Sequence, residues 1–377
     1  MRMLHTSDWH IGRTFHGVDL LGDQEKILQA LAEVVAAEDV EVVLVSGDVY
    51  DRSVPSADAI AVCQRGLAAL RDAGAHIVVT SGNHDSATRL GAGGRFSEKG
   101  GLFLRTTVED LDRPVLLADD NGPVAIYGIP YLQPEVVRDS LNVPEARSHE
   151  EVMTAAVARI RADAQRRRIG RTVVLAHAFV VGGVATGSER QISVGGVETV
   201  PVGVFLDARF DYVALGHLHS PQVIAESVRY AGSPLPYSFG ENSHRKGVWI
   251  VDIGADALSV HARELPIVRG LSRLTGTMEE LLTDAAHTAA EEDYVSATVT
   301  DHARPLDPMR RLRERFPYAV HMEWQGPQGD PALHYRDRVR GRSDTEIVDS
   351  FLTDVRSAPS SREMHWVQQA LTDQGAS

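Results

Sequence analysis

Residues 40–51 read VEVVLVSGDVYD and place an apolar run directly before a glycine and an aspartate. The run Val40–Ser46 is short, β-branched and nearly continuous, which is typical of a strand buried on both faces. Helical apolar patterns flank it at Asp23–Glu38 and at Pro55–Ala73. Alternation of such strands and helices predicts an α/β layered domain.

Four further apolar runs also end directly before residues that can bind metal ions. These runs are Arg2–Thr6, His76–Ser81, Thr172–Ala176 and Tyr212–Leu215, followed by SDWH, GNHD, H and GHLH. Ligand sites in open α/β sheets lie beyond the carboxyl ends of the strands, so we expect all five endings to converge. A single histidine after a strand is usually structural, but five such endings together indicate a site.

The converging residues offer carboxylate, amide and imidazole groups but no thiolate. They are Asp8, His10, Asp48, Asn83, His177, His217 and His219. This set fits a dinuclear site and favours Mn²⁺, Fe²⁺ or Zn²⁺ over Ca²⁺. The glycines at 47, 82 and 216 are expected to let the chain turn sharply at the strand ends. His84 should point toward the substrate, with Asp85 orienting its ring.

These ordered motifs resemble the calcineurin-like metallophosphoesterase superfamily and, within it, the SbcD nuclease subunits. The resemblance rests on SDWHIGRTF (7–15), SGDVYDRSVPS (46–56), TSGNHDS (80–86), LAHAFVVGG (175–183) and FDYVALGHLHSPQ (210–222). It also rests on SERQISVGG (188–196) and YAGSPLPYSFGE (230–241), within which SER…VGG and GSPLPYSF (232–239) are specific to the SbcD type. The resemblance implies a calcineurin-like metallophosphoesterase sandwich of layered β-sheets flanked by helices, with a small α/β capping domain and a helical C-terminal tail.

The resemblance also implies a role for each site residue. One metal would be held by Asp8, His10, Asp48 and His219, and the other by Asp48, Asn83, His177 and His217, with Asp48 bridging. His84 would stabilise the pentacovalent state and protonate the leaving 3′ oxygen.

The implied activity is that of a nuclease subunit with two divalent metal ions per chain, expected to be Mn²⁺. It would act as a 3′→5′ exonuclease on double-stranded DNA and as an endonuclease on hairpins and single strands, in DNA repair, recombination and replication. Its partners would be DNA, an ATPase of the SbcC type and a second copy of the chain, in the cytoplasm at the nucleoid.

Three regions are expected along the chain. Residues 1–265 form the phosphoesterase domain, residues 266–341 a capping domain with possible DNA contacts, and residues 342–377 a helical tail. The first tail helix carries an apolar stripe formed by Ile347, Val348, Phe351, Leu352 and Val355. This stripe either packs in an ordinary core or binds a partner; Ile347, Phe351, Leu352 and Val355 are the candidate ATPase contacts.

The cysteine count, the lack of long apolar runs and the net charge limit the classes of protein to which the chain can belong. The chain has 377 residues, a formal net charge of −14 and one cysteine, which excludes a disulfide framework and a cysteine-based zinc site. No run of about 18 apolar residues predicts a transmembrane helix, and the start is too polar for a signal peptide, so a cytosolic protein is expected. The acidic balance argues against coating nucleic acid by charge alone, but bound cations leave a nuclease possible.

Two other functions fit parts of this pattern. The same metal site could serve a small-molecule phosphodiesterase or phosphatase of the superfamily. The chain could also be a non-catalytic DNA-clamp adaptor for the ATPase. Arginines cluster at 159–171, 304–315 and 336–342, where they either form solvated faces or contact the DNA backbone.

Overall fold

The computed structural model describes residues 1–186, 189, 199–241, 245–255, 257–325, 341–355 and 358–374; the side chains of residues 354, 355, 373 and 374 lie outside that description. The chain forms two compact units, Met1–Val268 and Arg269–Ser377. The finer division at residues 265 and 341 stays a prediction. Within the described residues, no helix is both long enough and apolar enough to span a membrane.

The first unit contains two six-stranded mixed sheets. The first sheet has the strand order Leu258–Glu264, Gly247–Ile253, Arg2–Thr6, Val42–Ser46, His76–Thr80 and Leu102–Arg105. The second sheet has the order Gln222–Ala225, Val228–Tyr230, Tyr212–Gly216, Arg171–His177, Gly122–Ile129 and Val115–Asp119. In the first sheet the strands from Arg2–Thr6 to Leu102–Arg105 are parallel, and Gly247–Ile253 runs antiparallel to both of its neighbours. In the second sheet the inner strands are parallel, and the two edge strands run antiparallel to their neighbours.

Alternate residues of the central strands divide between two cores. One face of each sheet contributes to a shared core that contains Met3, Val42, Leu44, Val173, Leu175, Tyr212 and Ala214. The opposite face of the second sheet packs Val174, Ala176, Val213 and Leu215 against helix His149–Arg167. Successive side chains of a strand point to opposite faces of the sheet. Because the residues on both faces of these strands are apolar, both faces are buried.

Helices cover the outer faces and begin where the sequence provides caps. Helix Ala57–Asp72 starts after Ser56, whose side chain accepts the N–H of Ala59 at 3.2 Å. It packs on helix Leu21–Ala37 and on strand His76–Thr80. Ser148 and Glu151 form a reciprocal capping box at the start of helix His149–Arg167. The predicted α/β sandwich of layered sheets flanked by helices is therefore confirmed.

Short elements connect these layers. Two-residue strands pair Thr14–Phe15 with Val18–Asp19 and Phe179–Val180 with Thr199–Val200. Short helices lie at Ala87–Leu90, Gly94–Ser97, Glu98–Gly100, Val108–Asp110, Pro134–Val137, Gly203–Leu206 and Phe239–Glu241. The sequence analysis does not predict the edge strands Leu102–Arg105 and Val115–Asp119, whose apolar runs are only three and four residues long.

The second unit contains a three-stranded parallel sheet. Its order is Leu271–Gly276, Tyr294–Val299 and Ala319–Trp324, with helices at Met278–Thr283, Ala285–Ala290 and Pro308–Arg315. Val295, Ala297 and Val299 pack against Leu281, Leu312 and Phe316 in a small apolar core. The sequence pattern predicts the two later strands and the helix between them but not Leu271–Gly276.

Two helices follow, Asp344–Val355 and Ser361–Gln374, and they contact each other. Each begins at a capping box. Ser343 and Glu346 form the first box, and Ser360 and Glu363 form the second. The predicted pair of tail helices is confirmed.

Candidate metal centre

The five predicted strand endings meet at one edge of the sandwich and are joined there by hydrogen bonds. Within the first sheet, the N–H of Asp8 donates to the carbonyl of Gly47 at 3.1 Å. Between the sheets, the N–H of His217 donates to the carboxylate of Asp8 at 3.1 Å. His177 Nδ1 lies 2.9 Å from the carbonyl oxygen of Ser46, also on the other sheet. The edge is therefore a junction of both sheets.

Four of the seven predicted ligands have a left-handed backbone. Their φ angles are 53° at Asp8, 44° at His10, 50° at Asp48 and 107° at His217. A residue other than glycine in this region costs about 1–3 kcal/mol and persists only where its surroundings hold it. The sequence does not reveal this strain, because aspartate and histidine occur with both negative and positive φ angles and no sequence pattern marks the positive ones.

The three glycines at the strand ends are explained mainly by close packing. Only Gly47 has a positive φ, 83°. A Cβ at Gly82 would lie 2.1 Å from Oδ1 of Asp48, and one at Gly216 would lie 1.8 Å from the carbonyl oxygen of Ser46. The expected sharp turn therefore holds for Gly47, whereas at the other two positions a side chain would displace the ligand-bearing backbone.

One group of possible ligands contains Asp8, His10 and His219, all buried. The Nε2 atoms of His10 and His219 lie 3.0 Å apart. Burial lowers the pKa of both imidazoles well below the ordinary value, so both are neutral near pH 7. Two neutral imidazoles that converge with a carboxylate form a donor set suited to a divalent transition metal.

A second group contains Asp8, Asp48 and His177. His177 donates Nδ1–H to the Ser46 carbonyl, which turns Nε2 toward the Oδ1 atom of Asn83 at 2.9 Å and Oδ2 of Asp48 at 3.4 Å. The ring of His217 lies against that of His177, with centroids 5.3 Å apart. The structure therefore brings together all seven predicted residues, with the His217 side chain at the margin of this second group.

Asp48 belongs to the second group and also faces the first. Its Oδ2 atom is 3.4 Å from Nε2 of His177 and 3.6 Å from Nε2 of His10. Its Oδ1 atom accepts the backbone N–H of His84 at 2.8 Å. One buried carboxylate oxygen thus faces imidazoles from both groups, which is the placement that a bridging ligand requires.

The residues fit a pair of divalent cations. Burial raises the pKa of Asp8 to about 7, and although burial opposes a charge on His177, Asp48 raises the pKa of that imidazole to about 9. Bound cations would displace these protons and balance the carboxylates in their place. The carboxylate and imidazole donors of the two groups therefore form a set that suits divalent transition metals.

His84 borders this cluster and is held by backbone contacts. Its Nδ1 lies 2.8 Å from the carbonyl oxygen of Asp51, and its ring centroid is 4.6 Å from that of His10. The expectation that Asp85 orients this ring is wrong. The carboxylate of Asp85 instead accepts the N–H groups of Val49, Tyr50 and Gly82, and so fixes the loops that carry Asp48 and Asn83.

Further residues border the ligands; Asp51, Glu189 and Tyr237 lie within the quoted motifs, but the motifs alone assign them no role. Oδ1 of Asp51 lies 3.7 Å from Nδ1 of His10, so this aspartate of the GDVYD stretch faces the site. Tyr237 packs its ring edge-on against His10 and His219. Glu189 and Lys246 contact the backbone of His219. Such contacts link segments far apart in the chain, so local motifs cannot reveal them.

The chain matches two protein-family models and is similar to a known protein along its whole length. Residues 1–221 match the model for the calcineurin-like phosphoesterases, and residues 268–356 match the Type 5 capsule protein repressor C-terminal domain. The chain is similar to the SbcD subunit of the nuclease SbcCD from Staphylococcus saprophyticus, with 28% identity over 383 residues and full coverage of both chains.

Two solved structures are similar to part of this chain. TT1561 of Thermus thermophilus has 13% identity and a TM-score of 0.41, covering 69% of this chain and 98% of its own. A dimetal phosphatase from Danio rerio has 12% identity and a TM-score of 0.43, covering 70% of this chain and 96% of its own.

Proposed function

Because the chain belongs to the calcineurin-like phosphoesterase family, we propose that it is the nuclease subunit of an SbcCD-like complex and hydrolyses DNA phosphodiesters with two metal ions. The observation that carries this proposal is the position of Asp48, whose Oδ2 atom faces His10 and His177 at 3.6 and 3.4 Å. The full-length similarity to an SbcD protein and the second family match supply the choice of DNA over other phosphate esters.

The ligand sets that the resemblance implies are proposed here: Asp8, His10, Asp48 and His219 would hold one cation, and Asp48, Asn83, His177 and His217 the other. The two groups support the sets in part, because the first holds Asp8, His10 and His219 and the second holds Asp48 and His177, with Asn83 at 2.9 Å from His177. Two divalent cations held there would supply positive charge that stabilises the phosphoryl transition state and would make water a stronger nucleophile near neutral pH. The oxygen and imidazole donors suit Mn²⁺, which we propose as the working metal.

His84 is placed to move a proton. Its Nδ1–H donates to the Asp51 carbonyl, which leaves Nε2 as the ring atom that can carry a proton to a leaving oxygen. Its backbone N–H donates to Oδ1 of Asp48, so the same residue also orients the bridging carboxylate. We assign His84 to leaving-group protonation and Asp85 to positioning the Val49–Tyr50 backbone.

We propose 3′→5′ exonuclease action on duplex ends and endonuclease action on hairpins and single strands. These activities place the protein in DNA repair, recombination and replication, at the nucleoid of the cytoplasm. The net charge of −14 means that DNA affinity must come from local features such as bound cations and arginine groups. Arg336, Arg338 and Arg340, part of one predicted arginine group, lie outside the described residues.

The tail is proposed to bind the ATPase partner. Phe351 is 50% exposed on the first tail helix and Trp366 is 55% exposed on the second. Ile347 and Leu352 are half-buried on the same helix as Phe351, and the side chain of Val355 lies outside the described residues. An amphipathic helix with exposed apolar residues suits a helical groove on an SbcC-like ATPase. Self-association into a dimer is also proposed.

A paired assay tests the proposed reaction. The full chain is incubated with Mn²⁺ and either a hairpin DNA or bis(p-nitrophenyl) phosphate, with EDTA as the control. We expect metal-dependent hydrolysis of both compounds. Hydrolysis of the small diester while the hairpin DNA stays intact would favour a small-molecule phosphodiesterase. If neither compound is hydrolysed although the metal sites are full, a non-catalytic adaptor would be favoured.

A further inference from the structure

Both backbone groups of His219, its N–H and its carbonyl, form hydrogen bonds with charged side chains from separate parts of the chain. Its N–H donates to Oε1 of Glu189 at 3.0 Å. Its carbonyl oxygen accepts a hydrogen bond from Nζ of Lys246 at 2.8 Å. Hydrogen bonds to charged groups are about twice as strong as neutral ones, so this residue is unusually constrained.

Glu189 is itself anchored to its own loop. Its carboxylate accepts the backbone N–H of Thr186 at 2.9–3.0 Å and the hydroxyl of Thr186 at 2.9 Å. Oε1 therefore receives hydrogen bonds from both Thr186 and His219. Glu189 is the central residue of the SER stretch, and its neighbours Ser188 and Arg190 lie outside the described residues.

Lys246 holds the carbonyl group of His219. Its ammonium donates to Oε2 of Glu241 at 2.5 Å and to Oγ of Ser233 at 2.9 Å, as well as to His219. The lysine side chain is 8% exposed and that of Glu241 is fully buried. All three ammonium hydrogens are thus used by buried acceptors, which leaves the carbonyl of His219 in one defined position.

The 232–241 stretch also reaches the imidazole of His219. Oε1 of Glu241 accepts the N–H of Tyr237 at 3.1 Å. The ring of Tyr237 lies edge-on to those of His219 and His10, with centroids 5.6 and 5.4 Å away. The backbone and the ring of His219 are therefore held by one connected set of residues, which we call the His219 clamp: Glu189, Ser233, Tyr237, Glu241 and Lys246.

We propose that Glu189 and Lys246 are positioning residues that fix His219 for metal binding through its backbone. This inference rests on the proposed metal-dependent function, in which His219 is a ligand. It gives a common purpose to Glu189 of the SER stretch and Glu241 of the 232–241 stretch, neither of which is one of the seven candidate ligands. Removing an outer partner of a ligand typically weakens metal affinity about 10–100-fold.

The test measures Mn²⁺ binding to the full chain by calorimetric titration, with far-ultraviolet circular dichroism as a check of folding. We expect Glu189→Ala and Lys246→Met to weaken one of two Mn²⁺ sites about 10-fold or more and to leave the other unchanged. Glu189→Gln and Lys246→Arg, which keep a polar partner, should recover much of that affinity. The matched controls are the exposed residues Glu145→Ala and Lys26→Met, which should bind like the wild type.

A double-mutant cycle separates positioning from general stability. If the clamp acts only through His219, Glu189→Ala combined with His219→Ala should bind Mn²⁺ no more weakly than His219→Ala alone. Additive losses would overturn the proposal, as would normal Mn²⁺ binding by folded Glu189→Ala and Lys246→Met. Should Glu189→Ala unfold, folded Lys246→Met decides in the same cycle with His219→Ala, and Glu189→Ala decides if Lys246→Met unfolds. If His219→Ala itself binds two Mn²⁺ ions normally, the proposed metal site fails instead.

Discussion

Nδ1 of His5, on the first sheet, lies 2.9 Å from the hydroxyl oxygen of Tyr212, on the second, and both side chains are fully buried. Nε2 of His5 lies 3.1 Å from the carbonyl oxygen of Leu215. A carbonyl can only accept, so Nε2 carries the hydrogen and Nδ1 accepts from the Tyr212 hydroxyl. A neutral imidazole thus joins the sheets three residues before the first metal-ligand candidate.

This pair makes the stability of the protein sensitive to acid. Burial lowers the pKa of His5 to about 3, against about 6.5 in an unfolded chain. Between those values the unfolded state binds more protons, so stability present above pH 6.5 is lost as the pH falls toward 3. We expect His5 to account for a loss of about 2 kcal/mol between pH 7 and pH 5.

Urea denaturation at pH 7 and pH 5 measures this loss. His5→Gln should lower the free energy of unfolding at pH 7 but show a smaller further loss at pH 5 than the wild type. The exposed His261→Gln should keep the wild-type pH dependence. Equal pH dependence in His5→Gln and the wild type would show that the His5 imidazole is not held neutral.

Gly216 should tolerate no side chain. A Cβ there would lie 1.8 Å from the carbonyl oxygen of Ser46, which also accepts Nδ1–H of His177. Gly216→Ala must therefore push the sheets apart at the metal edge, and we expect a loss of about 3 kcal/mol or more in the free energy of unfolding. Gly22→Ala, in an open position of a helix, is the control and should be neutral or stabilising. Equal stability of the two variants would contradict the close packing.

The sequence could predict the central strands and the seven candidate ligands, because both are local features. Apolar runs identify strands such as Val42–Ser46, and the residue that follows each run is read directly from the chain. It could not assign the strands to two separate sheets. When both faces of a strand are buried, the period-two alternation that would reveal its partner sheet disappears.

Contacts that depend on tertiary structure could not be predicted either. Lys246 lies 27 residues from His219 in the chain, and Glu189 lies 30 residues from it, so no local pattern joins them. The predicted role of Asp85 is wrong for a similar reason. Its neighbour His84 suggests a side-chain partner, whereas the nearest donors in space are backbone N–H groups of the 47–51 loop.

Asp48→Asn tests the bridging carboxylate. The change keeps the size of the side chain but removes the charge that two cations would share. We expect the variant to fold normally, to bind fewer than two Mn²⁺ ions per chain and to lose nuclease activity. Elemental analysis after gel filtration measures the metal content, with the exposed Asp58→Asn as the control. Two metals per chain together with normal cleavage would overturn the assignment.

His84→Ala tests whether His84 moves a proton or binds a metal. The structure also allows a third group, in which His10, Asp48 and His84 lie close enough to share an ion. As a proton donor, His84 should be dispensable for binding two Mn²⁺ ions and DNA, while cleavage falls about 100-fold or more. The exposed His261→Ala serves as the control. A fall in metal content would make His84 a ligand instead.

Removal of the tail tests the partner surface. Cutting the chain after Arg342 deletes the helices Asp344–Val355 and Ser361–Gln374. Two short helices that leave Phe351 and Trp366 half exposed gain little stability alone, so their apolar residues suit a second chain. We expect the shortened protein to keep its Mn²⁺ content and its cleavage of single strands. It should lose co-purification with an SbcC-like ATPase and ATP-stimulated cutting of blocked ends.

Phe351→Glu provides a milder version of the same test. It should weaken ATPase binding without changing the helix content, whereas Gln369→Glu, which adds the same charge at an exposed position of the second helix, should not weaken it. Wild-type affinity for the ATPase in the truncated protein would place the interface elsewhere. Unfolding of residues 269–325 on truncation would show that the apolar stripe belongs to the core of the second unit. Because the Met1–Val268 unit has its own two cores, its Mn²⁺ binding should survive in either case.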